Sequence, residues 1–429
     1  MSIACRPAQR PRIFIYPSAV GFPPFQAVYD QRLDFLAQRI RASPHYTTDG
    51  SCADFFLLHN YVGARTSSTW VAEMFSKVAT SYEFWNRTWH SGPVRHFIIS
   101  PCDHGPGDCM YDRNLHPGPD TAALSLAVPW DALDPSSDRR RVGFLTLNGA
   151  LGPHNHFKRG IDIRLPAFDG HQCGPYCGMP HPQDSVNLAR AQRVLRRYSP
   201  WKSVGSGNQV WPLLRSRRRF RLFWAGRATR GGARGDLFRY HMHRRGFLLH
   251  DTSGKFPSTT VANASHPDFF ARGMRSSDFC LSPLGQSDGD SDRYLPALLY
   301  GCVPVFSSAR EARPFEEILP WDRFSLTLSN GARDVALLHL VLRNISDSQL
   351  HAMRTAMSVA WQRVLWTSVH VERGRARTHA RLDASKDLQR SNIAQASSFS
   401  YLGEPPYQDA FSALMKVFRH RLQMAAPGR

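Results

Sequence analysis

What most restricts the fold of this sequence is an alternation, run through twice, of short apolar segments with stretches of helical period. In the first series Arg12–Tyr16 (RIFIY), Asp54–Leu58 (DFFLL), Arg95–Ser100 (RHFIIS) and Val142–Leu147 (VGFLTL) read as strands, apolar on both faces. Between the first two, Tyr29, Leu33, Leu36 and Ile40 recur at helical spacing until Ser43-Pro44 ends the run. Trp70, Met74 and Val78 do the same after the capping residues Thr66, Ser67 and Ser68. Strands without a polar face need cover on both sides, so this order predicts a parallel sheet between helices.

From Arg190 to Arg219 the strand pattern lapses and the chain turns basic, with Ser203–Asn208 (SVGSGN) as a flexible joint. A second series follows: strand Phe220–Trp224, helix Arg234–Arg245, strand Asp278–Leu281, helix Ser291–Tyr300, strand Val303–Phe306 and strand Phe324–Leu328. Helical runs at Val335–Leu342 and Asp347–Leu365 close it, Arg373–Gln395 is polar and mixed, and Tyr407–Leu422 reads as a last helix. A chain of 429 residues exceeds one compact core. The expected division is 10–200 for a first Rossmann-like domain, 215–370 for a second, and 371–429 for a polar segment with the final helix. Two doubly wound α/β units in succession imply a central cleft, with ligands at strand carboxyl ends.

Composition narrows the function. A hydrophobic fraction of 42% excludes disordered and collagen-like chains. The net charge of +20 invites an anionic partner, yet 48 of the 54 basic residues are Arg, a bias that a GC-rich coding sequence produces unaided. Eleven Arg and one acid, Asp236, lie between Arg215 and Arg245, but they flank a buried strand and a turn with few interleaved aromatics, which argues against nucleic acid. The longest apolar stretch, Tyr294–Phe306, is broken by Pro296, Gly301 and Pro304, short of the ~20 residues of a membrane span. Met1–Pro17 has no signal-peptide core, so the sequence reads as that of a soluble chain. Cys102 with Cys109, and Cys173 with Cys177, suit small loop disulfides, whereas Cys280 and Cys302 are expected to pack as small hydrophobes. Sequons at Asn86, Asn263 and Asn344 are usable only in a secretory lumen.

The segment Asp278–Phe306 (DFCLSPLGQSDGDSDRYLPALLYGCVPVF) carries the most chemistry. A strand runs into a Pro-Gly loop and then a helix whose first turn holds Ser291 and Arg293, so amides and a guanidinium converge on an anion site. Gly285 and Gly289 admit a diphosphate close to the backbone, and Arg293 offers bidentate charge-assisted bonds. The competing reading is a polar surface loop. Asp288, Asp290 and Asp292 alternate there, as in a Mg²⁺ or Mn²⁺ site or in an ordinary turn, and no metal is required if Arg neutralises the diphosphate. Arg234, at the opening of a helix facing the cleft, suits a departing nucleoside diphosphate, or else lies on a solvated basic face. Asp103 and His104, beyond the third strand of the first series, are candidate general bases, Asp103 being equally suited to cap a turn. His154 and His156 can contact substrate or metal, while His171, Cys173 and Cys177 make either a partial zinc set or a small disulfide loop. No nucleophile elbow, P-loop or GxGxxG occurs, which counts against hydrolases, kinases and dehydrogenases.

At these residues the sequence resembles the exostosin family of glycosyltransferases, from about Pro11 to Trp366. The first-half pieces are Arg12–Tyr16, Ser43–Phe56, Phe84-Trp-Asn-Arg-Thr88 with His96-Phe97, Cys102–Gly105, and Gly160–Pro166, which is similar to the family's KDVxIP element with Ile161 in place of its Lys. The second-half pieces are Phe223-Trp-Ala-Gly226 with Arg234 and Leu237, Phe279–Pro283 with Gly285, Ser291 and Arg293, Gly301–Val305, and Pro314-Phe-Glu316 followed by Leu319, Trp321 and Phe324-Ser325. The resemblance implies a GT-B-like α/β fold of two Rossmann-like doubly wound domains facing a central cleft. It implies an inverting transfer of a sugar from a nucleoside diphosphate sugar to a cell-surface or cell-wall glycan. Arg234, Gly285, Ser291 and Arg293 would then bind the donor and Asp103 or His104 act in catalysis. No cofactor is required; the partners are the nucleotide sugar, the glycan acceptor and, by analogy, another glycosyltransferase, with a Golgi setting. Where the family commonly carries a ribose-binding Glu three residues after the Arg, this chain has Pro296, so Glu316 is the substitute candidate, and the rival is an inactive exostosin-like protein that binds glycan or a partner.

Overall fold

The structure, a computed structural model, describes residues 10–17, 34–61, 68–85, 93–100, 139–151 except 148, 156–166, 193–201, 218–257 except 230, 268–284, 292–366 except 330, and 408–425. Two parallel sheets dominate it, the pair of Rossmann-like units of a GT-B-like fold. The first has the order β2-β1-β3-β4-β5-β6, from β1 (Ile13–Tyr16), β2 (Tyr46–Thr47), β3 (Phe55–Tyr61), β4 (His96–Ser100), β5 (Val142–Thr146) and β6 (Ile163–Arg164). The second has the order β11-β10-β9-β7-β8, from β7 (Phe220–Gly226), β8 (Phe247–Asp251), β9 (Ser277–Ser282), β10 (Val303–Phe306) and β11 (Leu326–Thr327). Every strand pair is parallel, as continuous apolar strands under helices require.

Several expectations need correcting. The expected strand at Phe324–Leu328 shrinks to Leu326–Thr327, and the helix at Ser291–Tyr300 to Tyr294–Leu299. The run Val335–Leu342 is two short helices, Ala332–Ala336 and Leu338–Arg343. Strand β8 and the helix Phe269–Arg275 were not expected at all. Cys280 and Cys302 do not pack as free thiols: they form a disulfide linking β9 to the start of β10. Cys52 is disulfide-bonded as well.

One face of the first sheet is closed by an aromatic layer of Phe14, Tyr16, Phe56, Phe75, Trp85 and Phe144. Its other face joins the second unit's interior in one continuous core. Part of that continuity comes from the last helix, Ala410–Ala425, which returns to the first sheet. Phe418 packs on Phe55 and Phe97, with ring centroids 4.5 and 5.3 Å away. Arg421 donates to the carbonyls of Ile161 and Asp162 in the first unit and to Glu317 in the second.

The two units are stitched at residues 149–151 and at Arg164. Ala150 bridges Glu311, and the amides of Leu151 and Ala312 donate across the seam to Arg310 and Gly149. Arg164 is buried there: its Nε donates to Leu147 O at 3.1 Å and its Nη1 to Glu311 Oε1 at 2.7 Å, while its guanidinium lies 5.2 Å from the Tyr294 ring. A carboxylate 147 residues away in the chain thus answers a buried cation at the seam.

Candidate active site: two arginines at a switch point

The second sheet has a topological switch point. From β7 the chain moves outward to β8, and from β9 it moves the opposite way to β10, although β7 and β9 are paired neighbours. Connections leave on opposite faces there, so a crevice opens beyond the carboxyl ends, at Gly226 and Ser282.

Arg234 and Arg293 meet at this crevice. Arg234 belongs to the helix Gly232–His241 that follows β7, and its Nε donates to Leu284 O at 3.2 Å, beyond the end of β9. Arg293 stands at the entry of the helix Tyr294–Leu299, after Asp292, whose φ of 45° turns the chain into it. Asp is among the residues that tolerate this left-handed region. The Arg293 guanidinium carbon lies 5.8 Å from the Trp224 ring and 5.7 Å from the Phe270 ring. As a residue Arg293 is half-buried, but its Nε and Nη1 are shut off from solvent and have no hydrogen-bond partner. Burial pushes its pKa down to about 10, the nearby Arg234 charge adds to that, and Asp292 opposes it. Burial likewise lowers Arg234. Two cations held close, one of them with sealed and idle N–H groups, create a demand for an anion.

The backbone around them is made for close approach. A Cβ on Gly226 would stand 2.5 Å from Arg293 Nη2, so a residue without a side chain is what leaves the guanidinium its place. The loop beyond Gly226 is fixed by Asp251, at the carboxyl end of β8. Its carboxylate accepts from the amides of Ala228 (2.9 Å), Lys255 (2.7 Å) and Phe256 (2.9 Å), and from the Ser253 hydroxyl (2.7 Å). Burial pushes Asp251 upward, but these donors outweigh it and leave its pKa at about 2.

Of the expected site residues, then, Arg234 and Arg293 come together. Glu316 has other partners: it accepts from Arg159 Nε at 2.6 Å, across the seam, and from the Arg313 amide at 2.9 Å. Asp103, His104, Gly285 and Ser291 lie outside the described residues, as do His154, His171, Cys173, Cys177, Asp288 and Asp290. Among the described residues no group of His, Cys, Asp or Glu is arranged to hold a metal ion, and no helix is long and apolar enough to cross a membrane. Sequence reasoning missed Asp251 and the Arg164–Glu311 tie. The β8 run Phe247–Asp251, ending in a carboxylate just before Thr-Ser-Gly, was the available signal for the first; nothing local signals the second.

The chain is similar to known proteins. A family model described as the exostosin GT47 domain matches residues 9–345. Exostosin-1 of Drosophila melanogaster is 25% identical over 372 residues, 82% of this chain and 40% of the fly protein. A probable glucuronoxylan glucuronosyltransferase of Arabidopsis thaliana is 30% identical over 162 residues, 34% of each chain. A probable glucuronosyltransferase of Physcomitrium patens is 27% identical over 88 residues, 20% of this chain and 19% of the moss protein. The chain thus matches well under half the length of each of these relatives.

Proposed function

Since the chain belongs to the exostosin GT47 family of glycosyltransferases, we propose that it transfers a sugar, with inversion, from a nucleoside diphosphate sugar to a cell-surface or cell-wall glycan. The observation that carries this reading is Arg293: a guanidinium with sealed, unpartnered Nε and Nη1 beside Arg234 at the switch point. A diphosphate supplies the oxygens that these donors lack, and as the sugar departs the same two cations stabilise the charge growing on the leaving group. Inversion needs a base on the acceptor side, a task this reading gives to Asp103 or His104, with Gly285 and Ser291 lending their amides to the donor and Glu316 standing by for its ribose. The division into 10–200, 215–370 and 371–429 places donor and acceptor on facing units. The disulfides at Cys52 and Cys280–Cys302 fit an oxidising compartment such as the Golgi lumen.

A second reading, an inactive exostosin-like protein that binds glycan or a partner transferase, is favoured by Pro296. It is buried in the short helix after Arg293 and offers a ribose no acceptor side chain. Calorimetric titration with UDP, GDP, CDP and ADP separates the two. The expected result is binding of one of them, weakened about 30-fold or more in Arg293→Ala, whose melting temperature is not lowered because a buried unpaired cation has been removed. Folded wild type that binds none of the four favours the second reading.

A further inference from the structure

A third orphaned donor stands beside Arg293. Trp224, in β7 and two residues before Gly226, is 1% exposed, and its Nε1 has no hydrogen-bond partner. Other buried tryptophans differ: Trp201 donates to Leu298 O at 2.7 Å, Trp321 to Pro314 O at 2.8 Å and Trp366 to Pro166 O at 2.9 Å. Indole N–H is a donor with no acceptor capacity, and leaving one unmade inside a core is uncommon. The exception falls at the crevice.

The geometry around Gly226 says where this N–H belongs. The position a Cβ would take there is 2.5 Å from Arg293 Nη2 and 3.3 Å from Trp224 Cζ2. Cζ2 is bonded to Cε2, the carbon that carries Nε1. The indole carbon next to the nitrogen-bearing one and the guanidinium therefore meet above Gly226, and they can do so because Gly226 has no side chain. The rest of the ring is held by carbon contacts, meeting Phe238 edge-on with centroids 5.5 Å apart. Phe at this position would keep that packing and lose the N–H.

We propose that Trp224 is a specificity-determining residue of the anion site, its indole N–H donating, together with the Arg293 guanidinium, to oxygens of a diphosphate held beside Gly226. The inference rests on reading the crevice as a diphosphate site. It adds a neutral donor beside the cation, so the site favours ionised phosphoryl oxygens over a group that must itself donate at this point.

The test uses the full chain labelled with ¹⁵N at the tryptophan indoles, with inorganic pyrophosphate as the probe. Trp224→Phe identifies the Trp224 indole resonance as the one it removes. In wild type, pyrophosphate is expected to move that resonance downfield while those of Trp201, Trp321 and Trp366 stay. Trp224→Phe is expected to weaken pyrophosphate about tenfold, the worth of one donor to a charged oxygen. The proposal is overturned if wild type binds pyrophosphate with the Trp224 resonance unmoved, or if Trp224→Phe binds it as tightly. Should Trp224→Phe fail to fold, Trp224→Tyr identifies the resonance and the wild-type titration decides. If folded wild type does not bind pyrophosphate at all, the diphosphate reading falls first and this inference with it.

Discussion

Strand β9 has arginines at both ends, and the two ends treat them differently. At its start, Asp278 accepts from Arg354 Nη2 at 2.7 Å and from Arg221 Nη1 at 3.1 Å. Arg218 donates nearby to the carbonyls of Ser277 (2.9 Å) and Met274 (3.1 Å). At the carboxyl end, Arg234 donates to one carbonyl among the described residues, Leu284 O, and Arg293 has no hydrogen-bond partner for its sealed Nε and Nη1. Both ends are basic in sequence. The first is structural, because Asp278 and backbone carbonyls answer its arginines even though Arg218 Nε and Nη2 and Arg354 Nε have no hydrogen-bond partner; the second reads as a site, because the sealed Arg293 Nε and Nη1 lie beside a second cation at the switch point. Arginine density therefore does not locate function in this chain; two close cations at a switch point do.

Breaking the answered end should have the largest effect. Asp278→Asn leaves buried Arg354 and Arg221 without their carboxylate and is expected to cost about 3–5 kcal/mol, read from urea unfolding, while the protein that stays folded keeps its pyrophosphate affinity. If stability holds, the contrast between the two ends is wrong. Gly226→Ala probes the other end by filling the space with a methyl group. The guanidinium must move, so pyrophosphate binding should weaken about tenfold with little change in melting temperature. A pH titration gives the smallest effect. Arg293, depressed to about 10, loses its proton as pH rises through that value, so pyrophosphate affinity is expected to fall about twofold at pH 10. Arg293→Ala should remove this alkaline limb.

The sequence carried the alternation well because β1, β3, β4 and β5 each hold buried apolar residues in succession, Ile13–Tyr16, Phe55–Leu58, Phe97–Ile99 and Phe144-Leu145. It lost β8 because Phe247–Asp251 adjoins Arg244-Arg245-Gly246 and merges with the tail of the preceding helix, and its end, His250-Asp251, is polar. Arg293 was legible from its place after a strand and a Gly-rich loop. Trp224 was silent, since a donor without a partner is a property of the folded neighbourhood, and Phe-Trp in an apolar run reads as core. The Cys280–Cys302 disulfide was hidden for a related reason. Each thiol sits in a strand-like run, and it is the pairing of β9 with β10 that brings the two together.

The returning helix has a consequence for how the molecule is made. Phe411 and Phe418 belong to the core that the first sheet shares, and Arg421 grips both units at once. A ribosome therefore releases the front half long before that half can finish its interior, and residues such as Phe55 and Phe97 wait uncovered until the final helix emerges. Biogenesis of this protein should lean on chaperones during that wait, and deleting residues 408–425 should harm the unit built around the first sheet.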